Sequence, residues 1–355
     1  MSDVHVFNAG PCLLPDQVYD RAAEALRSFA QPGVSVLSVS HRSDEWVRIM
    51  DETRDLWKRL LNIPDGYDVL FLAGGASMEF LRVPMNFLEH KAAYLDTGIW
   101  AGKAYKEACG IGNAVIAASS ADKGYTYIPK DFDIPEDADY LHITTSNTVY
   151  GTRLKKDIDC PVPLVADMSS DILTRPVDIS RYALIYGGAQ KNAGTAGVSF
   201  VIVRKDALGK VSRHIPSMLD YSLLSEHKSM FNTPPVFPIF VMHETLRWTL
   251  ENGGVEEMQR RARAKADLLY AEVDRNPLFQ GVASREDRSE MNVTFVMSPG
   301  NESLEQEFLD FAFARGIVGI KGHRYAGGFR ASIYNACTLD DVKSLVQAMK
   351  DFENR

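Results

Sequence analysis

Short apolar runs recur between Asp68 and Arg204: DVLFL (68–72), AYLD (93–96), AVIAA (114–118), YLHIT (140–144), VPLVAD (162–167), YALIYGG (182–188) and VSFVIVR (198–204). Most are continuous rather than alternating, as in strands buried on both faces, so the chain predicts a mainly parallel sheet. The segments between them supply crossover helices. Trp100 to Cys109 follows the turn signal Asp96-Thr97-Gly98 with small or apolar residues at helical spacing. MEFLRVPMNFLEH, after Gly74-Gly75, reads as a second helix that Pro84 should kink or restart. After Gly253 the pattern lengthens. Met258, Ala262, Ala266, Leu269 and Val273 recur every three or four residues, as do Val342, Leu345, Val346, Met349 and Phe352, with strand-like NVTFVM (292–297) and FRASIY (329–334) between them. The expected architecture is α/β: a large, doubly wound lobe with a mainly parallel sheet and a smaller C-terminal α/β lobe, hinged at Asn252-Gly253-Gly254.

Composition narrows the function. The chain has 355 residues, with 39 Lys+Arg against 47 Asp+Glu, a formal net charge of −8. An acidic chain without a basic stripe is not built for nucleic acid or an acidic membrane surface, although a local basic pocket can still hold a small anion. No run reaches the ~18–20 apolar residues of a membrane span. MSDVHVFNAGPCLLP lacks a basic-then-apolar leader, so a cytoplasmic location is expected. Cys12, Cys109, Cys160 and Cys337 form no CxxC pair, so buried reduced thiols are expected, with no disulfide framework and no metal site.

The candidate chemistry sits just after the apolar runs, where ligands of such sheets bind. VPLVAD ends in Asp167, and YALIYGGAQK ends in Lys191 among small residues. A lysine there suits a Schiff base with pyridoxal phosphate, and a carboxylate on the neighbouring strand suits the protonated pyridine nitrogen. A solvated turn lysine and an Asp capping Ser169-Ser170 would have the same spacing. Gly74-Gly75-Ala76-Ser77 can wrap a phosphate in backbone N–H groups, or be only a tight turn. Trp100 can stack on a ring or pack as an ordinary core indole. Thr148 can bond a ring hydroxyl or serve its own loop. His41-Arg42, His323-Arg324 and Arg330 look like anion-binding groups, although surface basic pairs are common.

FNAGPCLLPDQV, SHRS, GGASMEF, SNTVYGT, ADMSSDILTRPVDISRYALIYGGAQKN, SMFNTPP and GHRYAGGFRASIYNA together resemble the phosphoserine aminotransferase family, homodimeric pyridoxal-phosphate enzymes of fold type I, over nearly the whole chain. The resemblance implies catalytic Lys191 and Asp167. It implies cofactor contacts from Ala76, Ser77, Trp100, Thr148 and Gln190, with Asn232 and Thr233 from a second subunit. His41 and Arg42 of that subunit, with His323 and Arg324, would bind a substrate phosphate, and Arg330 an α-carboxylate. It also implies a cofactor domain over 16–253 and a small domain of 1–15 with 254–355. Small anionic substrates are expected: phosphoserine, glutamate and their 2-oxo acids. Glu79 stands where the family usually has Gln, and is expected to point away from a bound phosphate or to pair with a cation. The competing readings are another aminotransferase of this fold, acting on alanine, serine or glyoxylate; a desulfurase, for which no Cys lies in a suitable loop; and a cofactor-free binding module.

Overall fold

The computed structural model describes residues 4–355. A seven-stranded sheet is built from β1 (Tyr67–Ala73), β2 (Ala92–Asp96), β3 (Ala114–Ser119), β4 (Tyr140–Thr144), β5 (Leu164–Asp167), β6 (Leu184–Gly188) and β7 (Val198–Arg204), in the order β1-β7-β6-β5-β4-β2-β3. Six strands run in one direction and β7 alone is antiparallel to both its neighbours. Every residue of β2, β4, β5 and β6 is buried, which is why these strands read as unbroken apolar runs. β3 is an edge strand, and its Ile116 is exposed.

Helices α1 (Asp16–Arg27), α2 (Asp44–Leu61), α3 (Ala76–Phe87), α4 (Ile99–Ile111), α5 (Tyr221–Glu226) and α6 (Val236–Glu251) accompany this sheet. One sheet face packs Phe71, Leu141, Ile185 and Phe200 with Trp57 of α2 and Met242 of α6. The other packs Tyr94, Tyr140 and Tyr186 with Phe80 and Val83 of α3 and Ala104 of α4. α3 runs unbroken through Pro84, so the expected restart does not occur. An interior proline costs about 3 kcal/mol. Burying Phe80, Val83 and Phe87 returns roughly 1.5–3 kcal/mol each, enough to keep the helix whole.

After the Gly253 turn, α7 (Gly254–Arg275) and α9 (Leu339–Glu353), with α8 (Glu305–Phe313), enclose a second core against an antiparallel sheet. Its strands are β8 (Phe279–Gly281), β9 (Asn292–Met297) and β10 (Phe329–Ser332), in that order. His5–Val6 pairs in parallel with Ile317–Val318 and carries Phe7 into this core. The four thiols are unpaired, but they are not all buried as expected: Cys337 is buried and Cys109 is exposed. Cys109 lies on α4 away from its inward stripe of Ala101, Ala104 and Ala108.

Candidate active site

The parallel strands end on one edge of the large sheet, and their exits surround a cavity of ≈ 360 Å³. Lys191 lies three residues beyond β6 and lines it. Its backbone is held by the N-terminal segment, for Cys12 donates its N–H to the Gln190 carbonyl (3.1 Å) and its Sγ–H to the Lys191 carbonyl (2.7 Å). Lys191 Nζ donates to Thr148 Oγ1 and Ser170 Oγ, each at 2.7 Å. Burial pulls its pKa from 10.5 down to about 8, against the opposing pull of Asp167 and with some help from Arg330. An amine so placed is a nucleophile near neutral pH rather than a solvated turn lysine.

Asp167 closes the neighbouring strand β5 and is buried. Its two oxygens differ in their hydrogen bonding. Oδ1 caps the following turn, accepting from Ser169 N (2.9 Å) and Ser169 Oγ (2.6 Å). Oδ2 makes no hydrogen bond among the described residues. Burial raises the pKa of this carboxyl, while the Ser169 hydrogen bonds and the charge of Lys191 lower it. Oδ2 therefore suits a cationic N–H donor brought by a ligand.

The Gly-rich turn follows β1. Gly74 and Gly75 take φ values of 113° and 66°, in the left-handed region that favours glycine. Gly75 caps α3 without a side chain, so the N–H groups of Ala76 and Ser77 at the positive end of the helix dipole are left for an anion. Trp100, in the first turn of α4, also lines the cavity, with Lys103 Nζ 4.5 Å from its ring centroid. Gly98 before it is required by close packing: a Cβ there would stand 2.8 Å from Asn147 Oδ1. Thr148 and Gln190 complete this wall. A half-buried amine, a carboxylate with one free oxygen, a flanking indole and an uncapped helix terminus are together what pyridoxal phosphate requires.

Of the predicted basic residues, Arg330 and His323 line the cavity. Arg330, on β10, is half-buried, gives a hydrogen bond from Nη1 to the Thr148 carbonyl (3.3 Å), and has no carboxylate partner among the described residues. Burial lowers its pKa without removing its charge. Burial, then Arg330, Arg324 and Lys103, push the His323 pKa down. Arg324 does not line the cavity; it is exposed and lies over Tyr325, 4.9 Å from the ring centroid. His41 and Arg42 occupy the loop before α2, and Asn232 and Thr233 an exposed loop before α6, all outside the cavity walls of this chain. Sequence reasoning missed Ser170 and Thr144 as wall residues, along with Ala9 and Gly10.

Glu79 takes the second of its two expected courses. Fully buried beneath the Gly-rich turn, it accepts from Arg82 Nη1, Ser199 Oγ and Tyr221 Oη, each at 2.6 Å. Glu79→Ala strands the buried Arg82 guanidinium and should cost about 3–5 kcal/mol in denaturant unfolding. Glu79→Gln keeps an acceptor and should cost less; equal losses would refute this ion-pair account.

The sheet order, with amine and carboxylate at the exits of adjacent parallel strands, defines a fold-type I pyridoxal-phosphate transferase. The family model of aminotransferase class-V matches residues 4–345, and the chain belongs to that family. Within the family it is similar to phosphoserine aminotransferases. That of Bacteroides fragilis is 60% identical over 98% of each chain. The solved structure of the Bacillus circulans subsp. alkalophilus enzyme superposes with a TM-score of 0.96 at 42% identity, covering 100% of this chain and 99% of that one. The PLP-bound enzyme of Trichomonas vaginalis superposes with a TM-score of 0.93 at 35% identity, covering 98% of this chain and 100% of that one.

Proposed function

We propose that the protein is a phosphoserine aminotransferase of serine biosynthesis, reversibly moving an amino group between glutamate and 3-phosphohydroxypyruvate to give 2-oxoglutarate and O-phospho-L-serine. The observation that carries this reading is Arg330, a half-buried cation without a carboxylate partner among the described residues, opening on the same cavity as Lys191 and Asp167. Bound pyridoxal phosphate supplies an electron sink for charge developing at the substrate Cα. Asp167 Oδ2 would hold its ring nitrogen, Thr148 its ring hydroxyl and Trp100 its face. Ala76, Ser77 and Gln190 would hold its phosphate, with Asn232 and Thr233 of a second subunit. The Lys191 amine would take the Cα proton as general base. Arg330 orients the α-carboxylate. His323 and Arg324, with His41 and Arg42 of the second subunit, bind the distal anion. A carboxylate in glutamate and a phosphate in phosphoserine can share that one cationic subsite, which would also accept 4-phosphohydroxythreonine, a step of pyridoxine biosynthesis.

This assignment makes the protein a cytoplasmic homodimer with shared active sites. Each subunit has a cofactor domain (16–253) and a small domain (1–15 with 254–355) that brings Arg330 to the site. The test is a single-turnover half-reaction with the cofactor-loaded protein. Phosphoserine should consume the visible absorbance of the lysine-bound cofactor at concentrations at least about 100-fold below those needed for serine or alanine, the discrimination expected of charge-assisted contacts to phosphate. Serine or alanine reacting as readily would replace this reading by that of a general small-substrate aminotransferase.

A further inference from the structure

The Ser170 hydroxyl has no part in the roles above, yet it sits at their centre. Ser170 lies in the turn after β5 and is 2% exposed. Its Oγ is 2.7 Å from Lys191 Nζ and 2.5 Å from Thr148 Oγ1, and Thr148 Oγ1 is itself 2.7 Å from Nζ. One amine and two hydroxyls thus close a triangle. The protein alone fixes the Ser170 corner. Asn192 Nδ2 donates to the Ser170 carbonyl (3.1 Å), and Asn192 Oδ1 in turn accepts from the N–H of Asn335 (3.1 Å).

A hydroxyl can both donate and accept, which suits it to an amine that changes protonation state. Facing the ammonium form, both oxygens accept from Nζ and one hydroxyl donates to the other. Facing the neutral amine, the hydrogens run one way round the triangle, from Nζ to Thr148, from Thr148 to Ser170, and from Ser170 to the nitrogen lone pair. Thr148 is assigned to the ring hydroxyl of the cofactor, which leaves Ser170 as the partner available to the amine during turnover. We propose that Ser170 is a positioning residue for the catalytic amine, holding Lys191 Nζ whenever it is free, as acceptor to its charged form and donor to its neutral form. This rests on the reading of Lys191 as the cofactor-bearing general base. The proton that Nζ takes from the substrate Cα is not passed to Ser170, which only reverses its hydrogen bond.

The experiment compares Ser170→Ala, Ser170→Thr and the parent in two forms. In the cofactor-free protein, the pH dependence of Lys191 labelling by an amine-reactive reagent, read by mass spectrometry, should have its midpoint near pH 8 in the parent, as set by burial, Asp167, Arg330, Cys12 and Asp171. Losing an acceptor for the ammonium should lower that midpoint by roughly one pH unit in Ser170→Ala. In the loaded enzyme, kcat should fall at least about tenfold with a smaller change in KM. The primary isotope effect with a Cα-deuterated amino donor should rise. Ser170→Thr, which keeps the hydroxyl, should restore all three. If Ser170→Ala fails to fold, Ser170→Cys, a weak hydrogen-bonding group of similar size, is expected to show the same shifts. An unchanged labelling midpoint or an unchanged isotope effect in the folded variant overturns the proposal. Lys191→Ala separates the two failures: if it keeps the absorbance of lysine-bound cofactor, the underlying reading falls, whereas if it loses that absorbance while Ser170→Ala behaves as the parent, only the role of Ser170 falls.

Discussion

Lys191→Ala should abolish the visible absorbance of the lysine-bound cofactor and lower kcat by at least about 10²–10⁴-fold, the contribution of a positioned general base. The structure makes the lysine unusually separable from the fold. Among the described residues its side chain makes only the two hydrogen bonds to Thr148 and Ser170, and those hydroxyls still bond each other once the amine is gone. Its pKa in the folded chain is depressed from 10.5 to about 8. The folded state therefore disfavours the charged form, a penalty that begins below pH 10.5 and is complete below about pH 8. Deleting the amine removes that penalty, so at pH 7 the cofactor-free variant should unfold at or above the temperature of the cofactor-free parent. Calorimetry and a visible spectrum check both halves. A variant that keeps the absorbance band identifies another lysine as the cofactor ligand, and one that loses stability shows that Lys191 also holds the fold together.

The strands were legible because burial on both faces leaves a strong mark: β4 and β7 have the bounds their apolar runs predict. The two-residue pair His5–Val6 with Ile317–Val318, and the three-residue β8, carry no such mark, since two or three residues cannot display a period. Among site residues, Asp167 and Lys191 were legible because a charged group ending an apolar run is conspicuous. Ser170 was not. A serine three places after the capping Asp167 has an ordinary explanation in the turn, and only the fold reveals that its hydroxyl meets an amine 21 positions later. The basic residues were legible as chemistry but not as places. Arg330 is brought in by the pairing of β10 with β9, while Arg324, six positions earlier, faces outward on Tyr325. Pro84 shows local propensity overridden by packing, because its neighbours Phe80, Val83 and Phe87 have the core to gain.

Asp167→Asn should lower kcat by roughly 10²–10³-fold, the scale seen when one preorganised electrostatic partner of a developing charge is removed, with a much smaller change in KM. The two oxygens of Asp167 make the substitution clean. An Asn placed with its carbonyl at Oδ1 still accepts from Ser169 N and Oγ, so the turn, and with it Gly188, whose N–H donates to Ser169 Oγ (3.1 Å), stays in place. What changes is the free oxygen, which becomes a neutral amide beside the cofactor nitrogen. Asn can neither stabilise a proton there by charge nor accept from it through its own N–H groups. Asp167→Ala removes both functions and leaves two buried Ser169 donors unpaired, so it should add about 1–3 kcal/mol of destabilisation for each to the same catalytic loss. The pair of variants separates the charge from the scaffold. If Asn matches Ala in lost stability, Asp167 is principally a turn cap. If Asn keeps the parent kcat, the carboxylate is not the electronic partner of the ring nitrogen. Loss of kcat in both, with loss of stability in Ala alone, is the result that the divided use of the two oxygens requires.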